Sequence, residues 1–344
     1  MKRNGHPRVK RCYTVVGHGP DRVELRSGVW NPTSFTVSDD SESGHLYRIV
    51  SRLDGSASPA ELAREEGMRR SEVEAVVDHL TELDVLETAA SSAFDVHLDA
   101  LLPWPAQAEV EDRPVVVLGA VDLAERIADE LRRSAPDLDV AVPEPGALER
   151  AVGDPAEWIR DGLGLERRLH EAREWRDSFL ILAESTIDPP LETAINRLCL
   201  ELEIPWLYAA IDGPFLFVGP LTVPGESACW ECFERRVTMN LRERESYLRY
   251  KRALAEGRVL RSRVELVPLL GSVLAAHASL EALNFVLSGS TCTIGKVLSI
   301  YVPTMELAYN DVLRLPGCPG CGTLPERDEP ELYFDMRALL SPSP

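Results

Sequence analysis

Two cysteine pairs carry the clearest chemistry in this 344-residue chain. Cys229-Trp-Glu-Cys232 lies past the middle and Cys318-Pro-Gly-Cys321 lies near the end. A C-x2-C loop aims two thiolates at one point, and two such loops complete a closed, tetrahedral zinc site. Gly225 ahead of the first pair, and Gly317, Gly320 and Gly322 around the second, supply tight turns. Two disulfides, a thioredoxin-like redox pair and two pairs of buried thiols are the competing readings. Two pairs at zinc spacing favour one structural Zn2+ held by Cys229, Cys232, Cys318 and Cys321. Such a site clamps the end of the chain to its middle, so everything between the pairs must leave the core and return.

A second stretch has the form of a nucleotide site without its chemistry. Val115-Val-Val-Leu118 reads as a buried strand, followed by Gly119-Ala-Val-Asp-Leu-Ala124 and a helix over Glu125–Arg133. This is the strand, glycine turn and helix that open a dinucleotide fold. Val121 stands where the second glycine would let phosphates approach the backbone, and Ala124 stands at the third. The fold is therefore expected and phosphate binding at this turn is not. Cys199 sits in a helical pattern and reads as core, while Cys292 is isolated. The chain has no G-x-S-x-G elbow, H-E-x-x-H or P-loop, and its seven histidines are scattered.

The elements that must position these residues fall into two groups. Residues 1–20 read as a flexible lead-in. Val23–Val29 reads as short alternating strands around Ser27-Gly28, and Ser34-Phe-Thr-Val37 as a third strand. Three helices follow. Leu46, Ile49, Val50 and Leu53 share a face, Ser58-Pro59 starts the second helix, and Ser71-Glu-Val73 opens the third. The stripe Val73, Val76, Val77, Leu80 and Leu83 is core-facing, and Asp84–Glu87 returns as a strand. This is a small winged-helix pattern. Its third helix carries Glu72, Glu74, Asp78 and Glu82, so it is no reader of a major groove.

Residues 91–113 read as a linker. Beyond them strands alternate with helices, the pattern of a parallel α/β sheet. The strands are Val115–Leu118, Leu138–Val142, Phe179–Ala183, Ile204–Ala210, Phe215–Pro220, Gly295–Val302 and Glu306–Tyr309. Trp158–Arg176 reads as a charged surface helix and Leu191–Leu202 as a packed one. Glu234–Gly257 is a long, mixed-charge helical run lying between the two halves of the zinc site. As an excursion it would reach a partner subunit, so a homodimer is one expected assembly. Leu266–Leu287 is the most apolar stretch, but it contains Pro268, His277, Glu281 and Asn284. It reads as a buried helix rather than a membrane span. The tail 323–344 is rich in Pro and Glu.

The formal net charge of -19 disfavours nucleic acid as a partner. Seven cysteines, an odd number, and a basic N-terminus with no apolar run behind it point to the reducing cytoplasm.

Two resemblances follow from these motifs. Residues 20–90 resemble the PqqD-like peptide-recognition fold through Leu46…Leu53-Asp54-Gly55, Ser58-Pro-Ala-Glu-Leu62 and Glu72-Val73…Leu80…Leu83…Leu86. Residues 114–322 resemble the ThiF/MoeB superfamily of activating enzymes. The opening strand with Gly119, Ile195-Asn196, Cys199, Ile204-Pro205 and Pro224–Cys232 carry this, with Val267–Gly271, Glu281-Ala-Leu and Cys318–Gly322. That family binds ATP with a glycine loop and an Asp after the strand that here ends at Ala183, where Glu184-Ser-Thr follows.

The fusion resembles the ThiF-like, leader-peptide-binding partner of YcaO-type azoline cyclodehydratases. The implied architecture is an α/β protein, with a PqqD-like winged-helix domain over residues 1–90 and a degenerate Rossmann-like ThiF/MoeB-type domain over 114–322. The resemblance implies that the chain binds the leader of a ribosomal precursor peptide and presents its core to a separate YcaO-type enzyme. The chain is then a non-catalytic subunit that needs Zn2+ but binds no ATP.

On this reading the leader adds as a strand to Ser34, Phe35, Thr36 and Val37 and packs beside Arg70, Glu74, Val77 and Asp78. The alternatives are an active ATP-dependent adenylating enzyme acting on a peptide C-terminus and a zinc-containing winged-helix regulator.

Overall fold

The structure, a computed structural model, describes residues 6–30, 33–87, 113–159, 161–260 and 268–322. The chain forms two compact units, Met1–Pro105 and Ala106–Pro344. The expected linker, apart from Arg113, and the tail lie outside the described residues, as do Val267 and its neighbours.

In the first unit, strands β2 (Thr14–Gly19), β3 (Arg22–Ser27) and β4 (Thr33–Ser38) form an antiparallel sheet in the order β2-β3-β4. Alternation in β3 sends Val23 and Leu25 into the core and leaves Glu24 and Arg26 outside it. Helices α1 (Leu46–Ser51), α2 (Pro59–Glu66) and α3 (Arg70–Glu82) pack on that core. Ser58 caps α2 in a reciprocal capping box with Glu61, and Gly67 ends it at φ 67°. Strand β1 (Arg8–Val9) pairs with β5 (Leu86–Glu87), and Arg8 forms an ion pair with Glu87.

Two expectations change here. Residues 6–20 are not a loose lead-in, because they supply β1 and β2. The sequence hid β2 because two of its six residues are glycine and its only aliphatic pair, Val15 and Val16, is adjacent rather than alternating. Val23–Val29 is not a hairpin either. Gly28, at φ 86°, lies just beyond a single strand whose hairpin partner is β2.

The second unit is built on a seven-stranded sheet of order β12-β11-β10-β9-β8-β6-β7. Strands β6 (Val115–Gly119), β7 (Val140–Ala141), β8 (Phe179–Glu184) and β9 (Trp206–Asp212) pair in parallel. Strands β10 (Phe215–Thr222), β11 (Lys296–Tyr301) and β12 (Glu306–Asp311) extend it antiparallel. The sheet is therefore mixed rather than all parallel, since the tight Asp212–Phe215 turn joins β9 to β10 as a hairpin.

Helix α4 (Val121–Ser134) follows β6, then short helices α5 (Ala147–Val152) and α6 (Pro155–Trp158), and the run expected as one charged helix over Trp158–Arg176 is the end of α6, helix α7 (Gly162–Glu171) and a 3-10 turn at Ala172–Trp175. Trp158 and Trp175 anchor that segment in a core shared with Trp206, Tyr208, Trp230 and helix α8 (Pro189–Glu201). The run expected over Glu234–Gly257 is two helices, α9 (Trp230–Asn240) and α10 (Arg244–Ala255), broken at Leu241, whose backbone is extended.

Helix α11 (Pro268–Ser288) packs against α4 and against β9 and β10. By length and composition it is the one helix among the described residues that would cross a membrane. Four of its polar residues, Ser279, Glu281, Asn284 and Ser288, are buried inside the unit. Glu281 is buried and accepts hydrogen bonds from Thr293 N (3.0 Å), Thr293 Oγ1 (2.7 Å) and Thr291 Oγ1.

Candidate functional site

The four cysteines meet. Strand β10 ends at Thr222, and the turn after it is fixed by Val223 N donating to Ser227 Oγ (2.8 Å). Cys229 then occupies the N-cap of α9, which carries Cys232 one turn on. From the other side, the segment after β12 brings in Cys318 and Cys321. The sulfurs of Cys229 and Cys232 lie 4.0 Å apart, those of Cys229 and Cys318 3.7 Å, and those of Cys232 and Cys321 3.4 Å. All four fall within 4.8 Å of one another. Zn–S bonds of about 2.3 Å in a tetrahedron place sulfurs roughly 3.8 Å apart, so the donor set fits one Zn2+. The cluster is able to chelate a metal.

Its surroundings are as specific as its ligands. Leu315 N donates to Cys232 Sγ (3.3 Å). Arg314 ties the two cysteine turns together, donating to Gly225 O (2.9 Å) and Cys321 O (3.0 Å). Behind Cys229, the buried Glu231 accepts from Arg197 Nε (2.5 Å), Arg197 Nη2 (3.0 Å) and Asn196 Nδ2 (3.2 Å), while Asn196 Oδ1 accepts from Trp230 N (3.1 Å). A Cβ on Gly320 would stand 2.8 Å from Glu231 Oε1 and 3.2 Å from Cys229 Sγ. Glycine is required there by space rather than by backbone angle. Neither Arg314 nor Glu231 was singled out from the sequence, since each acts on residues from another part of the chain.

At the opening turn, Gly119 has φ 114°, and a Cβ would lie 2.1 Å from Ala183 O. This glycine serves the packing of β6 against β8. Val121 is exposed at the first position of α4. The adjoining cavity is about 150 Å3, smaller than a typical ligand site of about 300 Å3 or more. Its charged lining is Glu125, Glu144 and Glu149, without a cation. A helix N-terminus offers unbonded N–H groups to an anion, but these side chains do not fit a bare triphosphate.

Another buried acid was not anticipated. Burial pushes the Glu192 carboxyl up to about 8. Its Oε1 accepts from Tyr208 Oη (2.8 Å) and Asp188 N (3.1 Å), and its Oε2 has no partner among the described residues, so nothing there solvates a negative charge. Cys199 is core, and burial raises its thiol as well. Cys292 is exposed.

In the first unit β4 pairs, among the described residues, with β3 alone and is an edge of its sheet. Ser34 and Thr36 are exposed, Phe35 packs edge-on against Tyr13 (5.9 Å between ring centres), and Val37 is buried. On α3, Arg70 pairs with Glu74 (2.8 Å), Asp78 is exposed, and Val77 lies in the same core cluster as Val37. The two valines are thus packing residues, and the polar candidates stand at the surface.

No family model matches the chain, and no curated protein does. Solved structures do match. The heterocyclase TruD superposes with a TM-score of 0.66 at 20% identity, over 93% of this chain and 43% of that one. A heterocyclase in complex with substrate and cofactor gives 0.67 at 18%, over 92% of this chain and 39% of that one. This chain therefore spans about two fifths of the heterocyclases it matches. E. coli MccB with ATP gives 0.52 at 14%, over 92% of this chain and 99% of that one. The α/β fold resembles those of MccB and of these heterocyclases, and it carries a four-cysteine cluster able to chelate a metal.

This corrects two expectations. The near-full-length match is to a biosynthetic enzyme, so the fold gives no ground for a purely non-catalytic subunit. Because that enzyme is solved with ATP and with AMPCPP, the broken glycine turn likewise gives no ground for a chain that ATP does not bind.

Proposed function

We propose that this chain is an ATP-using enzyme of ribosomal-peptide modification that activates the C-terminus of a peptide. The carrying observation is the match over 92% of this chain and 99% of MccB, a chain also solved with N-formylated MccA. With Glu125, Glu144 and Glu149 at the opening turn, a divalent cation would have to stand between them and the phosphates. The four cysteines hold a structural Zn2+ that ties the end of the chain to the middle of the sheet.

The peptide's leader binds the first unit, read as a PqqD-like winged-helix domain. It adds as a strand beside Ser34–Val37 and lies along the polar side of α3 at Arg70, Glu74 and Asp78. A cytoplasmic site of action accords with the thiols of Cys199 and Cys292, which form no disulfide. Mixing the chain with ATP, a precursor peptide and hydroxylamine should release pyrophosphate as the peptidyl adenylate forms and AMP as hydroxylamine takes the acyl group.

A second reading is favoured by the higher TM-scores to the heterocyclases and by the 43% of TruD that the chain spans. On it, the chain binds the leader and presents the core to a separate YcaO-type cyclodehydratase. In that case AMP release is absent from the simple mixture, and azolines form only when the YcaO-type chain is added.

A further inference from the structure

A cavity of about 510 Å3 opens between strands β9 to β12 and the helices α9 and α10, lined by no cysteine and by no residue of the opening turn, although Phe217, Phe233, Val297 and Val312 of its wall also pack in the cysteine cluster. It falls in the range of about 300–1,000 Å3 that small ligands occupy. Its walls are aromatic, with Tyr208, Phe217, Trp230 and Phe233 among them, and Tyr208 and Trp230 meet edge to face (6.1 Å between ring centres).

Two polar groups in this apolar space lack partners. Trp230 is 2% exposed, and its Nε1 has no acceptor. Asp212, an exposed residue of the lining, has no side-chain ion-pair or hydrogen-bond partner among the described residues, and partial desolvation raises its carboxyl. The other two carboxylates of the lining are already engaged. Glu234 accepts from Tyr247 Oη (2.8 Å) and Lys251 Nζ (2.9 Å), and Asp311 pairs with Lys296 (3.5 Å). Arg236, on the same wall, donates its Nε to Leu313 O (2.9 Å).

An occupant must therefore bring an apolar body, a hydrogen-bond acceptor for Trp230 and a donor for Asp212. A phosphate-bearing ligand would meet three carboxylates. A peptide supplies all three requirements at once, since each residue carries a side chain between a C=O and an N–H. We propose that this cavity is a specificity pocket that takes a large aromatic side chain of the peptide substrate, with the main chain on either side of it reaching Trp230 and Asp212. The inference rests on the peptide-substrate reading above.

N-acetyl-tryptophanamide is the smallest probe with all three features. Titrated into the full chain without nucleotide and followed by NMR line broadening of the probe, it should bind saturably with a Kd on the order of 1 mM. N-acetyl-alaninamide and AMP should not bind. Val237 lines the cavity and is partly exposed, so Val237→Trp fills it from the helix side without opening the core. That variant should keep its melting temperature and lose the probe, and Asp212→Asn should weaken binding roughly three- to tenfold. Equal binding of the alanine derivative, or unchanged binding in a folded Val237→Trp protein, overturns the proposal. Because no nucleotide is present, a failure of AMP release leaves this result standing, and the converse also holds.

Discussion

At the scale of the residue, the cysteine site combines what a sequence displays with what it hides. The cysteine cluster was legible because a cysteine's partner at i+3 is a local fact. Arg314, Asn196, Arg197 and Glu231 were not, because their roles exist only when α8, α9 and the segment after β12 come together. Elemental analysis should find one zinc per chain, and Cys229→Ala should abolish it along with much of the soluble yield, since structural zinc contributes on the order of 10 kcal/mol. Gly320→Ala should also weaken metal retention against a chelator, because its methyl group meets Glu231 and Cys229. Wild-type protein without metal would refute the assignment.

Glu192 gives a prediction of a different kind. Its carboxyl ionises near 4.5 when unfolded and near 8 when buried. The stabilisation from this raised group is present below pH 4.5 and is lost as pH rises through 8. Stability relative to Glu192→Gln should fall across that window by on the order of several kcal/mol. Urea midpoints of both proteins at pH 5 and pH 8 would show it, and parallel shifts would remove the buried acid from the account.

At the scale of the element, most helices and inner strands were readable because they bury regular patterns. The run Phe179–Ala183 and the stripe Val73–Val77–Leu80 have one solution each. Strand β2 and the break in the α9–α10 run were not readable. The first lacks alternation, and the second is a three-residue break, opened by the extended Leu241, inside uniformly helical composition. The edge strand β4 was foreseen as a strand, and its free edge follows from a pairing with β3 alone. If a leader adds to it, Thr36→Pro should lower the affinity of a labelled leader at least tenfold, while Thr36→Ala should change it by less than about threefold. Fluorescence polarisation with the full chain decides this, provided circular dichroism shows the proline variant folded. Equal effects of the two substitutions would place the leader elsewhere.

At the scale of the whole molecule, the alternation of strands and helices showed an α/β sheet, but the broken glycine turn misdirected the functional reading. Val121 and the carboxylates near it removed one familiar way of holding phosphates, and the absence of that loop was extended to absence of nucleotide and of catalysis. A fold matched over 92% of this chain by an enzyme solved with ATP does not support that extension. The most direct test is ATP–pyrophosphate exchange by the purified chain, run with a precursor peptide bearing a free C-terminal carboxylate and with the same peptide amidated. Activation of the C-terminus predicts exchange with the free acid and none with the amide. Exchange with neither peptide, in zinc-loaded protein that still binds the leader, would contradict it.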